Sequence, residues 1–151
     1  NEIRTAEIGD RAGIPCVSAW TALRDALENL KIARFAVGTP YPEDIHGLVP
    51  GYFTDKGYVI TADATLDVLS MREVANVKPG SIIRVARSIS AAPAEAVVFL
   101  ATDLHTFDIL DQMENELALP VLSSNQTILW AALKTIEYSA EAHGPGRLFA
   151  R

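Results

Sequence analysis

Cysteine is nearly missing: Cys16 is the single one in 151 residues. One thiol cannot close an internal disulfide or furnish a multi-cysteine zinc site. Runs of Lys and Arg are missing too. The 13 basic residues are scattered among 19 acidic ones, for a formal net charge of −6. That balance argues against nucleic acid as a partner. It leaves room for a small anion, because a few backbone N–H groups hold a carboxylate locally. No apolar run approaches the length of a membrane span, so no membrane partner is expected. No basic start with an apolar stretch marks an export signal, and the expected location is cytoplasmic. A glycine-rich phosphate loop is absent, since the "GPG" of residues 144–146 stands at the wrong end of the topology. No cluster of metal ligands is seen, and neither metal nor cofactor is expected. Repeats, low-complexity segments and long linkers are also lacking, so residues 1–151 read as one domain.

What is present is an ordinary globular composition, 49% hydrophobic and 21% charged, long enough for a real core. Residues 3–12 predict a helix stopped by Gly13 and Pro15. Ser18 is placed to cap a second helix from about Trp20 to Leu30, whose Trp20, Leu23, Leu27 and Leu30 share one face. "IARFAVGT", Ile32 to Thr39, is a continuous apolar run of the kind a strand buried on both faces needs. Pro42, Glu43 and Asp44 suit a helix start, and Pro50 with Gly51 predicts a kink or break in that helix. Further strands are expected at Tyr58–Ala64, in "EAVVFLATD" and in "LPVLSS". Helices are expected at Asp67–Val74, in "KPGSIIRVARSIS", from Thr106 to Leu117 and over "NQTILWAALKTIEYSA", with a C-terminal turn in "HGPGRLF". Apolar strands alternating with helices mean an α/β fold: a small parallel sheet with helices on both faces.

In such sheets ligands bind outside the carboxyl ends of the strands. The residues there are Thr39-Pro40-Tyr41, Asp63, Ala101-Thr102-Asp103 and Ser123-Ser124-Asn125. Thr39 and Tyr41 offer hydroxyl donors to an anionic oxygen; alternatively "TPY" is a tight turn with a partly buried tyrosine. Asp103 and His105 are the one acid–imidazole pair near a strand end and could exchange protons. The alternative is that Thr102 or Asp103 caps a helix starting near Leu104, with His105 solvated in its first turn. Ser123, Ser124 and Asn125 can cap the last helix, and its N-terminus can hold an anion. Cys16 reads as a small buried apolar residue rather than a nucleophile.

Three stretches together, "ARFAVGTPYPEDI", "FLATDLHTFDILDQMENELALPVLSSNQTILWAALK" and "GPGRLF", resemble the aspartate/glutamate racemase superfamily. The nearest branch holds maleate cis-trans isomerase and arylmalonate decarboxylase. The resemblance runs from about Gly13 to Phe149. It implies a fold of two similar α/β lobes with the active site between them. This chain matches the second lobe and the C-terminal helix, consistent with a sequence that opens on Asn1 in the middle of a helix. It also implies cofactor-independent chemistry on small carboxylates or dicarboxylates by one or two cysteines. In the isomerases one of them falls in a pattern like C-T-N-L-x-T. Here the string is Ala101-Thr102-Asp103-Leu104-His105-Thr106, so the turn is kept and Ala101 stands in the thiol's place. Tyr41 matches a tyrosine that donates to the substrate carboxylate, and the N–H groups of Thr102 and Asp103 match the anion-holding turn. Thr39 and Ser124 are further substrate-binding candidates. The implied function is an isomerase or decarboxylase working from a cysteine upstream of Asn1, or else a carboxylate-binding relative without catalysis; a vestigial interaction module is a third possibility. A homo-oligomer is compatible with all three.

Overall fold

The computed structural model describes residues 2–90, 93–138 and 144–150. Helix α1 (Glu2–Ala12) ends at Gly13, whose φ of 67° suits glycine. Helix α2 (Ala19–Leu30) begins in a capping box: the Thr21 N–H donates to Ser18 Oγ at 3.2 Å, and the Ser18 N–H donates to Thr21 Oγ1 at 3.0 Å. Two otherwise orphaned donors are thereby satisfied.

The chain then alternates. Strand β1 (Arg34–Thr39) is followed by the short helices α3 (Glu43–His46) and α4 (Val49–Thr54). Strand β2 (Val59–Thr65) leads to α5 (Met71–Val74) and α6 (Pro79–Ile89). Strand β3 (Ala96–Phe99) leads through a 3-10 turn at Phe107–Ile109 into α7 (Leu110–Leu117). Strand β4 (Val121–Ser123) runs directly into α8 (Ser124–Thr135).

All strand pairs are parallel, in the order β2-β1-β3-β4. β1 and β3 are central and buried almost throughout, as their unbroken apolar runs require. Alternate residues feed two cores. Ala36, Val97, Phe99 and Val121 pack with Ile82, Ala86, Leu110 and Met113 on one face. Phe35, Val37, Val98 and Leu122 pack with Leu23, Ala26 and Leu27 on the other. Each fully buried Leu, Val or Phe side chain stabilises by roughly 1.5–3 kcal/mol.

Four expectations are corrected. The helix break falls at Gly47–Leu48 rather than at Pro50–Gly51, and Pro50 sits in the first turn of α4, where its missing N–H costs nothing. The helix expected over Asp67–Val74 is confined to Met71–Val74. Asp67 adopts φ +48°, and the Val68 N–H instead donates to the Pro40 carbonyl at 2.9 Å. No helix starts near Leu104, and neither Thr102 nor Asp103 acts as a cap: the N-cap residue is Thr106, without a side-chain cap bond. The last helix, expected to run to residue 140, ends at Thr135, and Glu137 turns to φ +51° in the left-handed region, which stops it; residues 139–140 and His143 lie outside the described residues. Among the described residues, no helix is long and apolar enough to cross a membrane.

Candidate functional site

The carboxyl ends of β1, β3 and β4 open onto a cleft of about 360 Å³. Tyr41, Ala101, Thr102, Asp103 and Ser124 line it together with Pro40 and Met71. The topology therefore brings five of the sequence-derived candidates together. Two fall elsewhere: His105 is exposed and outside the lining, and Thr39 is fully buried beneath it. No hydrogen bond joins Asp103 to His105 among the described residues.

Tyr41 is half-buried. Burial raises its pKa, and the Asp103 carboxylate nearby raises it further. The phenol thus keeps its proton and stands as a hydroxyl donor at the cleft wall. The N–H groups of Thr102 and Asp103 find no acceptor among the described residues. Asn125 Nδ2 donates to the Thr102 carbonyl at 2.8 Å and ties the turn to the start of α8.

Ser123 caps α8. Its Oγ accepts from the Gln126 N–H at 3.4 Å, and Gln126 Oε1 accepts from the Ser123 N–H at 3.3 Å. Ser124 is then the first helical residue, and it brings the positive end of α8 to the cleft. The wall has no Lys, Arg or His among the described residues; its one ionisable acid is Asp103, whose buried Oδ2 has no hydrogen-bond partner. The arrangement offers neutral donors and a helix end, which suits one carboxylate better than several. No group of His, Cys, Asp and Glu able to hold a metal occurs among the described residues.

Ala101 has φ +83°, in the left-handed region that favours glycine. Strain of this kind gathers at functional turns. Ala101→Gly is expected to stabilise the fold by roughly 0.5–1 kcal/mol, since relief of the left-handed penalty outweighs the entropy cost of glycine. Urea denaturation of the two proteins measures the difference.

Sequence reasoning missed His46. Its ring is 4% exposed, with Nδ1 2.9 Å from Thr39 Oγ1 and Nε2 3.0 Å from Asp63 Oδ1. A register shift makes this possible. Phe35 pairs with Ile60 but Ala36 pairs with Ala62, so β2 carries one extra residue, Thr61. Asp63 then falls opposite Val37 and Thr65 opposite Thr39, which puts Asp63 on the same face as Thr39. Without the bulge Asp63 would face the other core.

Against the Ala101 side, the cleft shares Ala19, Tyr41 and Ser124 with an apolar groove of about 340 Å³, walled by Trp20, Leu23, Ile45, Leu48 and Tyr52. Cys16, expected to be buried, is instead exposed, because the segment between α1 and α2 that carries it lies on the surface; it lines a different groove with Trp130 and Lys134.

Comparison with known proteins adds the following. The arylmalonate decarboxylase family model matches residues 1–149. Arylmalonate decarboxylase of Bordetella bronchiseptica is 27% identical over 152 aligned residues, covering 99% of this chain and 63% of its own length. Maleate isomerase of Geobacillus stearothermophilus is 26% identical over 147 residues, covering 97% of this chain and 58% of its own length. A crystal structure of arylmalonate decarboxylase superposes with a TM-score of 0.88 at 25% identity, over 99% of this chain and 67% of that one. The chain thus spans about three fifths of the curated relatives it matches.

Proposed function

Because the chain belongs to the arylmalonate decarboxylase family, we propose that it is one lobe of a two-lobe, cofactor-independent isomerase or decarboxylase. Its substrate in this reading is a small dicarboxylic acid, and the reaction occurs at the carbon next to one carboxylate. The observation that carries the reading is that Tyr41, Thr102, Asp103 and Ser124, the first residue of α8, line one cleft, with no acceptor for the Thr102 and Asp103 N–H groups among the described residues. Each offers a donor that needs no counter-cation. Together they suit the oxygens of a carboxylate and the charge that spreads onto them when the adjacent carbon becomes a carbanion. The apolar groove beside Tyr41 has room for the rest of an acid with an apolar substituent.

The resemblance puts a reactive thiol at the position of Ala101. Ala101 can neither add to substrate nor move a proton. Thr102 is no substitute, because an alcohol without a base beside it is a weak nucleophile. In the proposed mechanism this lobe binds the carboxylate and a single cysteine of the other lobe does the chemistry across the cleft. The second reading, a carboxylate binder without catalysis, is favoured by the same Ala101. The two separate on whether a thiol faces Ala101 in the complete protein.

Tyr41→Phe tests the binding role that both readings share. Loss of a donor to a carboxylate is expected to weaken binding of malonate or maleate by roughly 1–3 kcal/mol, measured by isothermal titration. Unchanged affinity would remove Tyr41 from the site.

A further inference from the structure

Behind Tyr41 lies a chain of three side chains, buried at Thr39 and His46 and half-exposed at Asp63. Thr39 is fully buried, its Oγ1 is 2.9 Å from His46 Nδ1, and His46 Nε2 is 3.0 Å from Asp63 Oδ1. Hydroxyl, imidazole and carboxylate stand in the order of a hydrolase triad. The hydroxyl is sealed from the cleft, however, so no substrate can reach it as a nucleophile.

The chain has a direction. A carboxylate only accepts, so the Nε2 that faces Asp63 carries a proton, and in that tautomer Nδ1 is an acceptor. Thr39 therefore donates its hydroxyl proton to Nδ1. Its lone pairs remain for the Tyr41 N–H, which donates to Thr39 Oγ1 at 3.3 Å. Were Nδ1 the protonated atom, it and the Tyr41 N–H would take both lone pairs of that oxygen, and the hydroxyl proton would have no acceptor among the described residues. The other side of the turn is held independently. Thr65 Oγ1 donates to the Tyr41 carbonyl, and the Leu66 N–H donates to the Thr39 carbonyl at 2.9 Å.

We infer that His46, oriented by Asp63, is a positioning residue for the Tyr41 turn: it fixes the polarity of the Thr39 hydroxyl so that this oxygen holds the Tyr41 backbone and aims the phenol at the cleft. The inference rests on the reading of Tyr41 as a donor to the bound acid. It also accounts for the buried Thr39 and His46 side chains, where apolar ones would cost less.

The test is NMR of the full chain. Ring-nitrogen spectra of His46 are expected to show the Nε2–H tautomer in the native protein. Asp63→Leu alters a half-exposed rim residue and leaves its shape close to native. It removes the acceptor that faces Nε2, and it is expected to move the proton to Nδ1, where Thr39 Oγ1 can accept it. The Tyr41 amide should then exchange with solvent about tenfold faster, and maleate affinity should fall by a similar factor. Thr39→Val should reproduce the faster exchange and Thr39→Ser should retain the native rate. An Nδ1–H tautomer in the native protein overturns the inference. So does an Asp63→Leu protein whose tautomer or Tyr41 exchange is unchanged. If the tautomer and exchange shifts occur but the native protein binds no acid, the positioning chain stands and the carboxylate reading of the cleft fails.

Discussion

Ala101→Cys is expected to raise the rate of proton exchange at the carbon next to a carboxylate by roughly a hundredfold, the scale of a positioned proton-transfer group. The argument is geometric. Ala101 lines the cleft with Tyr41 and Ser124, and its Cβ already occupies the position from which a thiol would extend. Cysteine inherits the same φ of +83°, so the substitution adds no backbone strain beyond what alanine bears. The unengaged N–H groups of Thr102 and Asp103 and the positive end of α8 would favour a thiolate there. The measurement is deuterium incorporation into malonate in heavy water, on full-length protein, native against variant. A folded variant with an unchanged rate would show that residue 101 does not face the reacting carbon.

Gly38→Ala is expected to cost about 2–3 kcal/mol of stability. Gly38 lies in central β1 beside Phe99 of β3, and a methyl group there would stand 2.8 Å from the ring Cδ1 and 3.2 Å from Cζ. Phe99 is 1% exposed and packed into the core, so its ring cannot swing aside. The two residues set the spacing of the strands whose ends carry Tyr41 and Ala101. Phe99→Leu in the same chain makes room, and the double variant should be more stable than the sum of the single effects predicts. Thermal or urea unfolding of the four proteins reads this coupling. Simple additivity would mean that the ring and the added methyl do not meet.

Much of this architecture is legible in the sequence because burial on both faces leaves a plain mark. "RFAVGT" and "AVVF" are apolar without alternation, and only strands in the middle of a parallel sheet need that. Ser18 and Ser123 announce their helices because a hydroxyl before an apolar-periodic run has one obvious use. Tyr41, Thr102, Asp103 and Ser124 could be gathered in advance because parallel strands end on one edge. Other features depend on register, which local pattern does not carry. The extra residue at Thr61 changes the face of Asp63, and only then do Thr39, His46 and Asp63 meet. Thr39 reads as a donor to ligand from its place at a strand end, yet its side chain turns into the fold. Likewise the left-handed backbone at Asp67 and Ala101 belongs to the way loops are tied down, by Val68 to Pro40 and by Asn125 to Thr102. Neither residue type signals it.

The central claim is that a small acid binds at the joined ends of β1, β3 and β4. Titration of maleate into the full-length protein, followed by amide chemical shifts, tests it most directly. Saturable shifts at Tyr41, Thr102, Asp103 and Ser124 are the predicted result. Absence of any saturable shift, or shifts confined to the groove of Cys16, Trp130 and Lys134, would contradict it.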